Sequence, residues 1–433
     1  MSFRTLEVTE NGVRVGEMKG RRTPRFFMIN NFGGGGTNVS RFFVYSPLFE
    51  TGKSEILLNY YYLNTKFEKT PAFNTDLLSK ILSFGDIREF IEHVRKNFIE
   101  ISRSCLRGTE YYRVGWDPIV LADSGSGNIF RDLLSKLSEG NFERLFQSEI
   151  EEYINFCEKL KFDMAIGLDI AGKYTWKKGE NMNADYVARL KEFSKAKWNL
   201  ILSKLFLEEI PEEAGVSYYA PIHGDSPADY LHNLSLILEI ENQMNKKYAG
   251  FAIGGLGNEA RESIYETARL VRERLNELGD TRPVHVLGVG SVQNIIPLSL
   301  NGADTFDCHS PWRRASEDKL IKPLLDSNFE IMTKDKDYWA YVPLDLISEL
   351  KCDCEVCMNN TLSELRTLKE GEAEEKIYFR ILAYKHNIHQ QEVLCELVKS
   401  QANIRELVER FPKSKYKDEM NRFFIRRSQK TFS

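Results

Sequence analysis

The stretch GFAIGGLGNEARESIYETARLVRERLNELGDTRPVHVLGVG (250–290) contains a complete strand–helix–strand unit. Its two ends, GFAIGG (250–255) and VHVLGVG (284–290), are continuous apolar runs that finish in glycine, as buried parallel strands do. Between them, apolar residues recur at helical spacing, with charged residues on the opposite face. The stretch therefore predicts two parallel strands joined by an amphipathic crossover helix.

Similar apolar runs recur along the chain, and eight of them end in polar residues or glycine. They are RFFMIN (25–30), EILLNYYYL (55–63), PIVLAD (118–123), DMAIGLD (163–169), SYYAPIHG (217–224), GFAIGG (250–255), VHVLGVG (284–290) and DTFDCH (304–309). Helical stretches lie between several of them, for example over 228–247 and 258–279. Eight strands alternating with helices predict an α/β fold, the (β/α)8 TIM barrel, with a doubly wound open sheet as the alternative.

The spacing of these runs predicts where the chain departs from a simple barrel. Residues 64–117 separate the second and third strands by far more than one helix needs, so they predict an insertion, with a helix over 86–104. After residue 310 the strand–helix pattern stops. We therefore predict a catalytic barrel over residues 1–340, followed by a zinc-binding subdomain and C-terminal helices over 341–433.

Composition excludes few classes of function. The apolar fraction of 42% and charged fraction of 28% are ordinary for a globular protein. The net charge of −4 does not by itself indicate nucleic-acid binding, which would depend on a local basic patch. The polar N-terminal sequence and the lack of an 18-residue apolar run predict a cytoplasmic protein without a membrane span.

Three carboxylates lie at the ends of three predicted strands: Asp123, Asp169 and Asp307. Strand ends meet at one mouth of a barrel, so these side chains are expected to converge. Two carboxylates around one pocket suit displacement at a sugar anomeric carbon, where one attacks and the other handles the proton of the leaving group. The alternative is that each aspartate caps a helix or forms a turn.

Other polar and glycine residues share these strand ends. His223 and His309 do so, and IGGLGNEA (253–260) offers backbone amides for a phosphate or the edge of a base. Close packing of helix on strand is the alternative explanation for these glycines. The segment GVGSVQN (288–294) lacks the full dinucleotide-binding fingerprint, and no redox cofactor is predicted.

Three closely spaced cysteines form the most specific local motif. Cys352, Cys354 and Cys357 have the spacing C-x-C-x2-C, which in a cytosolic protein favours a metal over a disulfide. Zinc takes four tetrahedral ligands, commonly three cysteines and a histidine, and His386 or His389 downstream could supply the fourth. We expect structural Zn2+, because such a site leaves no open ligand position.

In several ordered motifs the chain resembles the tRNA-guanine transglycosylase family. The resemblance runs from about residue 115 to about 395 and matches the motifs in their family order. The matching segments are LADSGSG (121–127), MAIGLD (164–169), GFAIGGLGNEA (250–260), VLGVGSVQNI (286–295), GADTFDCHSPWRRA (302–315) and the three-cysteine motif followed by HNI (386–388).

The resemblance implies roles for matched residues. Asp307 is similar to the nucleophile that attacks C1′ and expels guanine, and Asp123 to the acid/base that moves the proton of the leaving and incoming bases. Asp169 corresponds to the residue that recognises the base. The remaining implied contacts are His223 and the backbone of Gly254, Gly255 and Leu256 for the base, Arg313 for the sugar-phosphate, and Cys352, Cys354, Cys357 and His386 for zinc.

The chain also departs from the family pattern, and the departures concern the base pocket and the polynucleotide surface. The family's D-S-G-G-[FY]-Q is replaced by DSGSGN (123–128), its Q-G by His223 and Gly224, and its P-T-R has Trp312 in the middle. No added RNA-binding domain is recognisable. We therefore favour DNA over tRNA as substrate, as in divergent relatives from phages and bacterial DNA-modification clusters, with a 7-deazaguanine such as preQ0 as the incoming base.

Several alternatives stay open at this point. The chain could act on tRNA, serve as a non-catalytic nucleic-acid-binding or partner subunit, or hydrolyse the glycosidic bond. A homodimer and accessory DNA-modification proteins are compatible partners, and a phage-encoded enzyme would act in the host cytoplasm. Arg313, Arg314 and Lys319 are candidate phosphate contacts, and GGGG (33–36) is either a loop over the mouth or a flexible turn.

Overall fold

The computed structural model contains a closed barrel of eight parallel strands, which confirms the predicted (β/α)8 fold. It describes residues 3–30, 55–64, 80–93, 117–125, 129, 133, 142–169, 195–257, 259–400 and 402–430. In chain order the strands are β1 (Phe3–Val8), β2 (Arg14–Met18), β3 (Arg21–Arg22), β4 (Arg25–Asn30), β5 (Glu55–Asn59), β6 (Val120–Asp123), β7 (Met164–Ile166), β8 (Ser217–Ile222), β9 (Gly250–Ile253), β10 (Val284–Val286), β11 (Thr305–Asp307), β12 (Lys319–Ile321) and β13 (Tyr341–Pro343).

Strands β4 to β11 form the barrel, and each of the eight predicted runs supplies one of them. They pair in chain order, and β11 closes the ring against β4 with Thr305 opposite Arg25. The run predicted over 55–63 is a strand only as far as Asn59, and Tyr60–Leu63 turns into a helix. The apolar run therefore predicted the strand correctly but extended it too far.

Helices surround the barrel and continue beyond it. The described helices are α1 (Tyr60–Leu63), α2 (Phe142–Lys159), α3 (Lys195–Glu209), α4 (Pro227–Met244), α5 (Arg261–Glu277), α6 (Val292–Leu300), α7 (Ser310–Ser316), α8 (Glu355–Asn359), α9 (Leu362–Glu370), α10 (Ala373–Lys399), α11 (Ile404–Arg410) and α12 (Lys415–Lys430). The helices predicted over 228–247 and 258–279 are confirmed as α4 and α5. Among the described helices, none has both the length and the apolar character needed to cross a bilayer.

Some predicted features fall wholly or partly outside the described residues. Most of the insertion predicted over 64–117 lies there, as do GGGG (33–36) and residues 126–128. The helix predicted over 86–104 is helical over 87–93, and its remainder is outside the described residues.

The barrel interior is filled by alternate residues of its strands, because successive side chains of a strand point to opposite faces. The interior cluster contains Phe27, Ile29, Leu57, Leu121, Met164, Ile166, Tyr219 and Ala252. Asn59 follows Leu57 by two positions, and Asp123 follows Leu121 by two. Both polar side chains therefore share the interior face at the carboxyl ends of β5 and β6.

At the opposite end of the barrel, buried ion pairs connect the starts of neighbouring strands. Asp304 accepts the backbone N–H of Val284 at 2.8 Å and pairs with Arg14 at 2.7 Å and Arg272 at 2.9 Å. The same arrangement recurs where Glu55 accepts the N–H of Ile119 and where Asp163 accepts the N–H of Val120. Each carboxylate links the start of one strand to the start of its neighbour.

The C-terminal region packs directly on the barrel. Helix α10 lies against α6, α7 and β4, and the hydroxyl of Tyr384 donates to the carbonyl of Ile29 at 3.3 Å. The β12–β13 hairpin pairs Ile321 with Tyr341, so it joins residues on both sides of the predicted division at 340. That division stays a prediction.

Candidate functional site

Asp123 lies at the carboxyl end of β6 and is only partly exposed. The side-chain amide of Asn59, on the neighbouring strand β5, donates to its Oδ2 at 2.7 Å. Burial raises the pKa of Asp123 to about 7, with further increases from the negative charges of Asp169 and Asp307. The three carboxylates that were predicted at separate strand ends are thus close enough for their charges to interact.

Gly125 shapes the turn that follows Asp123. Its φ of +66° is a left-handed conformation that side chains disfavour. A Cβ atom at this position would lie 2.4 Å from Oδ1 of Asn59 and 2.7 Å from Cβ of Tyr61. Glycine is therefore required here, because any side chain would displace the amide that holds Asp123.

Asp169 and His223 lie side by side. Nε2 of His223 is 2.8 Å from Oδ2 of Asp169, although the two groups are not aligned for a hydrogen bond. Both residues are buried, with His223 only 1% exposed. The structure therefore brings together two polar side chains that were predicted to contact the base.

The glycine pair after β9 packs against this histidine. A Cβ atom on Gly254 would lie 2.5 Å from Cε1 of His223, and Gly255 has a φ of +77°. The hydroxyl of Tyr230 donates to the carbonyl of Gly254 at 2.7 Å and fixes the turn, and the side chain of Leu256 is fully buried. Close approach to the His223 ring, rather than to a helix, explains the glycine at 254.

Asp307 is buried at the end of β11 and has defined partners. Its Oδ1 lies 3.0 Å from Nε2 of His285 and accepts the backbone N–H of Gly288 at 3.0 Å. Its backbone carbonyl accepts the N–H of Gly290 at 2.8 Å. His285 was not predicted as a site residue, because it lies inside the run VHVLGVG (284–290), from which only a strand was predicted.

Arg313, by contrast, is outside this carboxylate group. It lies on α7 with a side chain that is 69% exposed, and its Nε is 3.3 Å from Oε1 of Glu317. Arg314 and Lys319 contact the same glutamate at 2.8 and 2.7 Å. Three cations therefore surround one carboxylate just after β11, leaving a local excess of positive charge.

The three cysteines and His386 converge on one point. The ligand atoms of Cys352, Cys354, Cys357 and His386 all lie within 4.8 Å of one another. Nδ1 of His386 is 3.3 Å from Sγ of Cys357, while its Nε2 is held by the carbonyl of Ile321 at 2.9 Å. Because that carbonyl can only accept, Nε2 carries the hydrogen and Nδ1 is left to bind a metal ion.

The other candidate ligand, His389, contacts a carboxylate instead of the three thiols. Its Nε2 is 2.9 Å from Oδ1 of Asp353. Cys352, Asp353 and His389 also lie near one another, but they provide only three groups and one thiol. The set with His386 is the one that matches the tetrahedral preference of a thiolate-bound metal.

Comparison with known proteins agrees with the predicted resemblance. The TGT family, described as Queuine tRNA-ribosyltransferase, matches residues 110–417. A queuine tRNA-ribosyltransferase of Caldanaerobacter subterraneus is 26% identical over 312 residues, which are 71% of this chain and 75% of that protein. One from Thermoanaerobacter pseudethanolicus is 27% identical over 301 residues, 68% of this chain and 72% of that protein. A putative queuine tRNA-ribosyltransferase of Archaeoglobus fulgidus is 31% identical over 150 residues, 33% of this chain and 35% of that protein.

The matched range includes the whole carboxylate group and the cysteine cluster, on the barrel that the motifs predicted. With more than half of the chain matched, the protein belongs to the queuine tRNA-ribosyltransferase family and is a pentosyltransferase.

Proposed function

We propose that this protein exchanges guanine in nucleic acid, with DNA as the preferred polymer, for a 7-deazaguanine such as preQ0. Guanine transglycosylation follows from membership of the family. The observation that carries the detailed proposal is the position of Asp123 and Asp307 at the carboxyl ends of barrel strands, where the charges of both Asp169 and Asp307 act on Asp123. A base and its sugar placed there would meet all three.

In the proposed reaction Asp307 is the nucleophile. Its carboxylate attacks C1′ as the bond from C1′ to guanine breaks, which gives a covalent glycosyl ester. Asp123 gives its proton to the departing guanine. The incoming base then returns a proton to Asp123 as its ring nitrogen displaces Asp307 from C1′. A pKa of about 7 suits Asp123 for both directions of transfer at neutral pH.

Base recognition is assigned to Asp169, His223 and the backbone at Gly254, Gly255 and Leu256. A carboxylate accepts the N1–H and exocyclic amine hydrogens of guanine, and 7-deazaguanines keep this edge. The short distance between Asp169 and His223 supports a joint role, because one base edge can reach both groups. Extrusion of the target nucleotide from its stack is needed for such contact.

The preference for DNA rests on the departures from the family pattern. His223 stands where the family has glutamine, and Trp312 packs in α7 where it has threonine. The family match begins only at residue 110, so the N-terminal quarter of the chain lies outside it. The relatives described above are named for tRNA, and tRNA is the competing substrate.

Zinc is the metal that we propose for the cysteine cluster. Three thiolates and one imidazole match the common structural zinc set, and this set leaves no position for a reacting water. The three cysteines lie over 352–357 and His386 lies on α10, so the ion would join these two segments. The cations near Glu317 are the proposed phosphate contacts, with Arg313 the most exposed.

The decisive experiment compares polymers and nucleophile variants. Purified protein is incubated with DNA or tRNA that carries labelled guanine, with and without preQ0, and release of label is measured. We expect release from DNA that depends on preQ0 and is abolished in Asp307→Ala. Release from tRNA alone would establish the tRNA alternative, and release without preQ0 a hydrolase. Binding without release from either polymer would indicate a non-catalytic subunit.

A further inference from the structure

The two oxygens of the Asp307 carboxylate have different surroundings. Oδ1 is held by Nε2 of His285 and by the N–H of Gly288, each at 3.0 Å. Among the described residues, no hydrogen bond to Oδ2 is present. A carboxylate with one oxygen held and the other available has a defined attacking atom.

His285 is itself fixed on every side. It is fully buried, and its Nδ1 lies 2.8 Å from Oγ1 of Thr305. The ring of Phe27 meets it edge-on, with 5.8 Å between centroids and an interplanar angle of 83°. Both ring nitrogens therefore have partners, and the ring cannot rotate without breaking one of these interactions.

Strand register explains why these groups meet. His285 on β10 is paired with Thr305 on β11, and Asp307 follows Thr305 by two positions on the same face. The imidazole thus spans from the threonine hydroxyl to the carboxylate along one face of the barrel. This arrangement results from backbone pairing, so it does not depend on a mobile loop.

We infer that His285 is a positioning residue for the base-exchange reaction, which orients Asp307 so that Oδ2 attacks C1′. The inference rests on the proposed function, since it assumes that Asp307 is the nucleophile. Thr305 supports this role, because its hydroxyl contacts Nδ1 on the side of the imidazole ring away from Asp307.

The same hydrogen bonds act in both halves of the reaction. In the first half the bond between Oδ2 and C1′ forms, and the electron pair of the broken glycosidic bond leaves with guanine. Oδ1 becomes the carbonyl oxygen of the glycosyl ester. In the second half the incoming base takes C1′ and the electron pair of the C1′–Oδ2 bond returns to the carboxylate. Donors at Oδ1 stabilise the negative charge that reappears there.

The test uses variants of His285 whose side chains differ in length and in whether they carry a hydrogen-bond donor. His285→Gln places an amide donor near the position of Nε2 and should still contact Asp307. His285→Asn reaches only the Thr305 side, and His285→Phe keeps the ring volume without any donor. We expect kcat to fall about 10- to 100-fold in the Phe and Asn variants, with KM for the polynucleotide within about threefold. The Gln variant should recover to within about fivefold of the wild type.

Formation of the covalent adduct is measured alongside, by rapid quenching and mass spectrometry of the intact chain. A merely structural histidine would make Phe the best substitute and would give equal losses in Gln and Asn. Either result overturns the inference, as does a Phe variant with a kcat within about twofold of the wild type.

Two further variants keep the outcomes distinct. Thr305→Val conserves the shape of the side chain and should lower kcat about 3- to 10-fold. It tests the positioning role of His285 even if the Phe and Asn variants do not fold. An unchanged kcat in Thr305→Val would refute that role. Full exchange by Asp307→Asn, or no exchange by the wild type, overturns the proposed function. Loss in Asp307→Asn with full activity in the His285 variants overturns only the positioning role.

Discussion

The side-chain amide of Asn59 donates to Oδ2 of Asp123 at 2.7 Å, so the proposed acid/base is held by a residue from the adjacent strand. A donor to a carboxylate favours the ionised form and lowers its pKa. Burial and the charges of Asp169 and Asp307 act in the opposite direction and prevail, which places the pKa of Asp123 at about 7.

This balance predicts a pH effect for Asn59→Ala. The first half of the reaction needs protonated Asp123, so its rate should fall as pH rises through about 7. Without the amide donor the pKa rises, and the alkaline limb should move about 1 pH unit higher. Single-turnover rates of guanine release from pH 5 to 9 measure the limb. Asn64→Ala, which removes a donor to Tyr60 instead, is the control. An unmoved limb would show that Asn59 does not set the pKa of Asp123.

Gly254→Ala tests the base slot. The added Cβ would lie 2.5 Å from Cε1 of buried His223 and must push the ring from Asp169. We expect the KM for the incoming base to rise at least about tenfold, because the loss of one or two hydrogen bonds to a bound base costs roughly 1–3 kcal/mol. Gly257→Ala is the matched control, since among the described residues no atom beyond its chain neighbours lies within 4 Å of its Cβ position. Equal KM values in the two variants would place base binding elsewhere.

Cys354→Ala tests the metal centre. We expect about one zinc per chain in the wild type, determined by elemental analysis, and almost none in this variant. Its unfolding midpoint should also drop and become insensitive to chelators, because metal binding contributes to folding. Cys395→Ala removes another buried thiol, on α10 but outside the cluster, and should keep its zinc. A metal-free wild type with the same stability in chelator would reject the site.

The double variant Arg313→Ala/Arg314→Ala tests the proposed binding of phosphate. Removing one cation that neutralises a phosphate should reduce the slope of log affinity against log salt by about 0.9 for duplex DNA, so we expect a reduction of about 2 for the pair. Fluorescence anisotropy from about 50 to about 300 mM salt gives the slope. Arg274→Ala, whose partly exposed side chain pairs with Glu277 on α5, should leave the slope unchanged. A parallel change in both variants would indicate a general charge effect.

The barrel was predictable because its strands are buried on both faces. Such strands appear as continuous apolar runs, and all eight were found this way. The N-terminal sheet β1–β3 was missed because β1 is largely exposed and its sequence, FRTLEV, mixes polar and apolar residues. The Asn11–Gly12 pair, with φ of +77° at the glycine, is the turn sequence that could have revealed the β1–β2 hairpin.

The candidate site was only partly predictable. Asp123, Asp169 and Asp307 could be found because strand ends converge in any parallel barrel. His285 could not, since its role depends on the register between β10 and β11, which the sequence does not state. A histidine within an otherwise apolar barrel strand was the available indication, because a buried imidazole requires polar partners.

Strand β11 ends at Asp307, and Asp304 directly precedes the strand, so the two carboxylates belong to different ends of the barrel. Asp304 is held between Arg14 and Arg272 where the strands begin, and Asp307, the proposed nucleophile, lies where they finish. One short segment thus carries a structural carboxylate at one end of the barrel and the proposed reactive carboxylate at the other. His223 and Trp312, where the chain departs from the family pattern, take no part in these ion pairs, so both positions can differ between relatives while the pairs at the start of the strands are kept.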